Sequence, residues 1–281
     1  MTFTLATVVA VAQVTSRMRR IALEVDDPAA LRVRPEGDSA VGVYFDPAPF
    51  HRTMSEPTAP NPGRNYTVRH HLVDGGRERI ALDVLVHGHG IGSTWADTTT
   101  VGAKVGLDHA RSWYQPGAAD WQLLVTDLSG LPATARIVEQ LPVGASVTAL
   151  VEVLDDDELH YLPVHPGVTV IPTVGTGNGR GPSRLAEMVR TWRCPDGMGY
   201  CWFGGEAAES RAVRKHFRER GWSVDQLDVT GYWRSGSEAW DARFARFGDQ
   251  AVAVYSRALA DGKGAKVAAE EFDEALERAG L

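Results

Sequence analysis

The hydrophobic pattern of this sequence changes period between Ala118 and Trp121. Before that point it runs as short apolar or alternating stretches at 6–14, 18–25, 40–45, 66–72, 80–86 and, more weakly, 101–107. Clusters such as Asp26-Asp27-Pro28 and the segment 57–63 separate them. That is the punctuation of an antiparallel sheet or barrel. From Trp121 onward strand and helix signals alternate. Residues 123–126, 146–153, 168–174, 200–203 and 223–229 read as strands, and 131–141, 183–192 and 209–220 as helices. Pro132 falls in the first turn of the first helix, where its missing N–H costs nothing, and Gly221 ends the last. Such alternation builds a parallel sheet covered by helices. Beyond Gly236 the pattern is helical, with Trp240, Phe244 and Phe247 on one face and Phe272 and Leu276 on another after the Asp261-Gly262-Lys263-Gly264 break. The expected domains are a β-barrel over 1–118, an α/β lobe over 119–235 and a helical extension over 236–281.

Charge and cysteine content narrow the function classes. A net charge of −7 repels nucleic acid and anionic membranes unless a local basic patch overrides it, so no nucleic-acid partner is expected. Cys194 and Cys201 are too few for a disulfide framework or a four-sulfur zinc site, which fits a reducing cytoplasm. The apolar run 4–14 has its arginines after it rather than before it, at positions 17, 19 and 20, unlike a signal peptide. No apolar run reaches the roughly 18 to 20 residues of a membrane span, so no stable membrane insertion is expected.

The segment Arg64-Asn65-Tyr66-Thr67-Val68-Arg69 enters a strand. In a strand Arg64 and Tyr66 share one face and Thr67 takes the other, so a phosphate-binding cation stands beside an aromatic ring. His87 and His89 form an H-x-H pair, which on a strand brings both rings to one face. No further ligand has suitable spacing, so a role beside a bound cofactor or in the core is expected rather than a metal. Ser93 and Thr94 open a helix, either as phosphate donors or as plain caps. Asp127 follows the first strand of the second lobe, where open α/β sheets bind ligands, although the loop lacks G-x-G-x-x-G. The run Gly175-x-Gly177-x-Gly179-x-Gly181 reads more readily as a flexible connection than as a phosphate cradle. Glu206 ends another strand, and Arg211, Arg214 and Lys215 on the next helix suit either a 2′-phosphate or solvent.

Taken in order, Arg64-x-Tyr66-Thr67, Asp83-Val84-Leu85-Val86-His87-Gly88, Ser93-Thr94-Trp95-Ala96, LLVTDLSGLPA from Leu123, WFGGE from Trp202 and Gly231-Tyr232-Trp233-Arg234 resemble the siderophore-interacting proteins, or ferric-siderophore reductases. The resemblance runs from about residue 10 to 236. It implies a ferredoxin-reductase-like fold, with an FAD-binding antiparallel barrel joined to a nicotinamide-binding parallel α/β lobe. By analogy Arg64 contacts the FAD pyrophosphate, Tyr66 packs on the isoalloxazine and Thr67 bonds near its reactive nitrogen. Val68 and His87 lie beside the cofactor, Gly92, Ser93 and Thr94 approach its phosphates, and Trp95 anchors that helix. Asp127, Glu206 and Trp233 would serve cofactor binding in the second lobe. Lys104, Arg111 and Arg234 would attract the ferric chelate. Two turns depart from the family pattern: Asp108-His109-Ala110-Arg111-Ser112 lacks the flanking glycines and proline, and position 128 is leucine rather than an acid.

The expected activity is a relay from NADPH or NADH through FAD to a ferric siderophore, with Fe(II) released, and with a ferredoxin as an alternative electron donor. A general NAD(P)H:flavin or quinone reductase and a non-catalytic siderophore binder are the competing readings.

Overall fold

The structure, a computed structural model, describes residues 3–46 and 63–281. The punctuating stretch 57–62 lies outside the described residues. Six antiparallel strands close into a barrel in the order β1-β2-β5-β4-β3-β6: β1 Phe3–Gln13, β2 Met18–Val25, β3 Ala40–Tyr44, β4 Arg64–Asp74, β5 Arg77–Leu85 and β6 Lys104–Asp108. Side chains alternate along each strand, so Ala6, Val8, Ile21, Leu23, Val41, Val43, Val68, Ile80, Leu82 and Leu107 meet in one core. Closure leaves the barrel no unpaired edge. Two helices lie on it: the short α1 (Pro28–Leu31), capped by the Asp27 side chain, and α2 (Ile91–Thr98). The weak strand expected at 101–107 starts later, because Val101-Gly102 forms a turn with Gly102 at φ +93°.

The second lobe is a five-stranded parallel sheet in the order β11-β10-β7-β8-β9, built from β7 Trp121–Thr126, β8 Val147–Val153, β9 Val168–Val174, β10 Gly199–Glu206 and β11 Leu227–Trp233. α3 (Leu131–Gln140) covers the face toward the barrel, and α4 (Leu185–Thr191) and α5 (Ala207–Glu219) cover the other. Covering on both sides explains why β7 and β10 read as continuous apolar runs. The last strand begins four residues after the expected start, since Ser223 and Gln226 cap a 3-10 turn over Val224–Gln226. It also runs on through Tyr232 and Trp233, so these aromatics end the strand rather than follow it.

Strand order reverses between β7 and β10, and at such a switch point ligands bind beyond the carboxyl ends of the strands. Asp127 and Glu206 flank it. Gly130 is confined there: a Cβ would stand 2.3 Å from the Gly204 carbonyl oxygen.

The lobes are joined by buried polar contacts. Arg136 of α3 donates to the carbonyls of Val68 (2.6 Å), Arg34 (3.1 Å) and Pro35 (3.3 Å). Arg69 makes a two-point bond to Glu139 and stacks over Tyr161. Asp38 accepts from Ser112 Oγ, the Trp113 and Tyr114 amides and Trp202 Nε1.

The extension is a helical hairpin, α6 (Ser237–Ala260) and α7 (Ala265–Arg278). The two aromatic faces foreseen in the sequence meet each other: Trp240, Phe244, Phe247 and Phe272 close a small core with Ala251, Leu276 and Leu281. Ion pairs from Arg214 to Asp273 and from Lys266 to the buried Asp228 (2.7 Å) fasten α7 to the α5/β11 edge of the sheet.

Candidate functional site

The candidate site draws on two groups of residues, one on the barrel and one on the sheet. On the barrel, Arg64 and Tyr66 enter β4, paired with Val43 and Val41 of β3. Arg64 is exposed, and its guanidinium bonds the neighbouring Gly63 carbonyl at 3.1 Å. Tyr66 packs edge-on to Phe45 (6.3 Å between centroids), which in turn packs on Trp95 (5.1 Å). Its hydroxyl abuts α2 so closely that a Cβ on Gly92 would stand 1.9 Å from it. Burial drives the Tyr66 hydroxyl pKa well upward, so it stays protonated.

Thr67 points the opposite way, toward β11. It is buried, and neither its Oγ1 nor the Tyr232 hydroxyl beside it has a hydrogen-bond partner of good geometry among the described residues. Val68 presents no free group: its side chain lies in the barrel core, its N–H bonds the Ser39 carbonyl at 2.7 Å and its carbonyl accepts from Arg136.

The loop into α2 holds the histidines. β5 ends at Leu85, so His87 and His89 lie on a loop rather than a strand, yet their rings still meet edge-on at 5.0 Å. Partial burial and the neighbouring His89 both lower the His87 pKa, leaving the imidazole neutral near pH 7. Ser93 is buried, and its Oγ accepts from the His87 (2.9 Å) and Gly88 (3.2 Å) amides, fixing the loop. Thr94 is exposed, and α2 begins behind Gly90 with no side-chain cap. Among the described residues no cluster of metal-ligating side chains occurs.

On the sheet, Asp127 is fully buried and accepts from the Ser129 amide (2.8 Å), Ser129 Oγ (2.6 Å) and Trp233 Nε1 (2.6 Å). Burial outweighs these bonds and pushes its pKa up to about 6. Glu206 is the N-cap of α5, accepting from the amides of Ala208 (2.5 Å) and Glu209 (3.2 Å), while its other oxygen takes the Ser235 amide (3.2 Å). Between these strand ends and the extension opens a cavity of about 650 Å³, lined by the loop 177–183 and by Glu206, Arg211, Trp233, Arg234, Trp240 and Arg243 among others.

The three cations expected to gather around a chelate do not gather. Lys104 pairs with Asp26 (3.7 Å), off the end of β2 opposite Met18, the residue that packs into the second lobe. Arg111 lies at the other end of β6, bonded to the buried Asp108 and to Asn65 (2.9 Å). Arg234 lines the cavity, its guanidinium 4.3 Å above the Trp240 ring. Of the three cations on α5, Arg211 reaches the cavity, Arg214 is tied to Asp273 and the Val229 carbonyl, and Lys215 is exposed.

Phe45, Glu152 and Arg243 were not singled out from the sequence, Tyr232 entered only within the Gly231–Arg234 motif, and Trp240 only as part of an aromatic helix face. Glu152 had a legible signal, a lone acid within the apolar strand Val147–Val153. It is wholly buried, accepting from Thr176 Oγ1 (2.8 Å) and the Arg184 amide (2.7 Å), and it shapes the glycine run, since a Cβ on Gly177 would stand 1.8 Å from its Oε2.

Two family models match the chain: the siderophore-interacting FAD-binding domain over residues 7–111 and the siderophore-interacting protein over 119–236. Curated relatives include an uncharacterized protein of Mycobacterium tuberculosis, 34% identical over 72% of this chain and 75% of its own. The ferric vibriobactin reductase of Vibrio cholerae is 27% identical (72% and 70%), and the NADPH-dependent ferric-chelate reductase of Escherichia coli 29% (62% and 67%). Among solved structures, a siderophore utilization protein from T. fusca superposes with a TM-score of 0.70 at 30% identity, covering 83% of this chain and 93% of that one. The ferredoxin reductase of carbazole 1,9a-dioxygenase, at 15% identity and TM-score 0.60 over 82% of this chain and 69% of its own, shares the fold. With both halves matched in order and the two-lobed ferredoxin-reductase-like architecture around them, the chain belongs to the siderophore-interacting protein family.

Proposed function

We propose that this protein is an FAD-dependent reductase that passes electrons from NAD(P)H to a ferric siderophore and releases Fe(II). The observation that carries the reading is the contact between Thr67 and Tyr232, two buried hydroxyls that meet where the Arg64–Thr67 strand reaches the end of β11 and that make no hydrogen bond of good geometry among the described residues. An unpaired buried hydroxyl costs about 1–3 kcal/mol, and the polar edge of a flavin ring would satisfy both. Arg64 and the uncapped first turn of α2 fit a pyrophosphate, and Tyr66, braced by Gly92 and Phe45, offers a flat apolar face.

Bound FAD would accept electrons as a pair and release them singly, chemistry that no side chain supplies. The chain's own residues bind and orient. Thr67 and Tyr232 fix the ring edge, and neutral His87 offers a hydrogen bond without a fixed charge. Trp233, held by Asp127, flanks the donor cavity, and the Arg136 and Arg69 contacts keep cavity and barrel face in one rigid frame. One NAD(P)H carries the electrons for two Fe(III), and reduction weakens hard-oxygen chelation, so iron leaves an intact ligand. Arg111, held near the outer face of β4 by Asn65 and paired with the buried Asp108, is a barrel-side guanidinium that an anionic chelate would have to share with that carboxylate.

The names of the Vibrio and Escherichia relatives support this substrate and this donor. Neither cysteine is bonded, which fits a reducing cytoplasm, and among the described residues no helix is long and apolar enough to cross a membrane. The test is the visible spectrum of the purified protein, anaerobically, before and after NADPH, NADH and then a ferric siderophore, with an Fe(II) indicator present. Flavin that is bleached by a nucleotide and restored by the chelate as Fe(II) forms supports the proposal. Flavin that only reduced ferredoxin bleaches reassigns the donor, and no flavin after reconstitution overturns the reading.

A further inference from the structure

The geometry points to the C-terminal extension as part of the electron-donor site: Trp240 and Arg243 of α6 complete a pocket for the 2′-phosphate of an adenosine nucleotide. The inference rests on the donor reading above and goes beyond the matched family region, which ends at residue 236 while α6 begins at Ser237.

The cavity is bounded on one side by the loop 177–183, on a second by the start of α5 and on a third by α6. Among the described residues, four cations, Arg180, Arg211, Arg234 and Arg243, line it with the acids Glu206 and Glu209. Both acids are already committed. Glu206 spends its two oxygens on the Ala208, Glu209 and Ser235 amides, and Glu209 accepts from the Ala186 amide at 2.7 Å. This matters for nucleotide choice. An acid at a strand end normally accepts from the ribose 2′-hydroxyl of an unphosphorylated dinucleotide, whereas a nearby arginine accommodates a 2′-phosphate. Here the strand-end acid is withdrawn as a helix cap, while Arg211 and Arg243 line the opening.

The wall contributed by α6 is preorganised. The Trp240 ring is stacked on Phe244 (4.6 Å, 16° between planes) and covered by Arg234 on its ring face (4.3 Å). Its edge carries Nε1, which is buried in a cavity-lining residue and has no hydrogen-bond partner among the described residues. A phosphate or ribose oxygen would complete it. Arg243 reaches the same cavity and is braced against the Gly280 carbonyl at the far end of α7, while Arg211 is braced by Glu277 (3.6 Å). The hairpin thus holds two guanidinium groups at the mouth of the sheet, suited to planar, two-point recognition of phosphate.

The test is calorimetric titration of the full-length protein, in fixed low salt, with adenosine 2′,5′-bisphosphate and with 5′-AMP, for wild type, Arg243→Ala and Trp240→Phe. The expected result is a wild-type preference of at least tenfold for the bisphosphate. Arg243→Ala should reduce that preference about tenfold, with 5′-AMP affinity little changed. A wild-type preference that survives Arg243→Ala in a variant with an unchanged melting temperature overturns the role of the extension and leaves the donor reading standing. A wild type that binds neither nucleotide overturns both. Trp240→Phe keeps an aromatic ring in the stack while removing the Nε1 donor and part of the ring area, so it decides the matter if Arg243→Ala does not fold. It should lose several-fold in bisphosphate affinity, and unchanged affinity counts against the proposal.

Discussion

Trp233 Nε1 donates to Asp127 Oδ2 at 2.6 Å, joining the end of β11 to the loop after β7 across the switch point of the sheet. The acceptor is a buried carboxylate, and burial raises its pKa to about 6. Between about pH 4 and 6 folded Asp127 holds a proton that the unfolded chain has already lost, so its contribution to stability falls as pH rises through that window. Asp127→Asn keeps an acceptor for Trp233 and removes the titration. In urea unfolding at fixed FAD concentration, the variant should gain on wild type by about 2–3 kcal/mol between pH 4 and 7, with no further change above that. Parallel stability curves would show that Asp127 is not the buried titrating group.

Gly92 and Tyr66 form a second close pair. Alanine at 92 places a methyl group 1.9 Å from the Tyr66 hydroxyl, so ring or helix must move. Overpacking of this kind costs about 1–3 kcal/mol. Gly92→Ala should weaken FAD retention about tenfold, and Tyr66→Phe in the same chain should restore part of the loss by removing the clashing oxygen. A double-mutant cycle on flavin affinity measures this, and simple additivity would contradict the contact.

How far the sequence reveals this architecture depends on the range of the interaction involved. The barrel strands follow from alternation, the buried strands from apolar runs, and the Gly221 stop from local backbone chemistry, all of which act over a few residues. The Tyr66, Gly92 and Trp95 neighbourhood was approached through motif order, but the contact of Tyr66 with Gly92 depends on how α2 folds back over β4. Lys104 and Arg111 illustrate the opposite case. They are near in sequence, yet β6 separates them and carries each to a different partner, Asp26 or Asp108. Nothing local in Trp240 or Arg243 announces a cavity wall, because that role arises only when the hairpin docks along β11 and α5 through Lys266 and Arg214.

The lobe interface gives a third prediction. Arg136 is nearly buried, and its pKa is lowered chiefly by desolvation, yet it stays charged to satisfy the carbonyls of Val68, Arg34 and Pro35. Arg136→Met fills much of the same space and leaves those acceptors unpaired. The expected cost is about 2–5 kcal/mol, with the single unfolding transition splitting as barrel and sheet lose their coupling. Calorimetry would show the split, and one unshifted transition would mean that the interface is held elsewhere.

The fourth prediction concerns the orphaned hydroxyl of Thr67. Thr67→Val preserves shape and removes a buried polar atom that makes no hydrogen bond of good geometry among the described residues, so the flavin-free protein should be as stable as wild type or slightly more so. If that hydroxyl serves the flavin ring, the holoprotein behaves oppositely. A hydrogen bond of about 1–2 kcal/mol made near the reacting edge corresponds to roughly a tenfold loss in rate. Stopped-flow reduction by NAD(P)H should therefore slow about tenfold in Thr67→Val, with flavin content retained. Stability separates a packing role from a redox role, because packing alone would shift the melting temperature and leave the reduction rate unchanged.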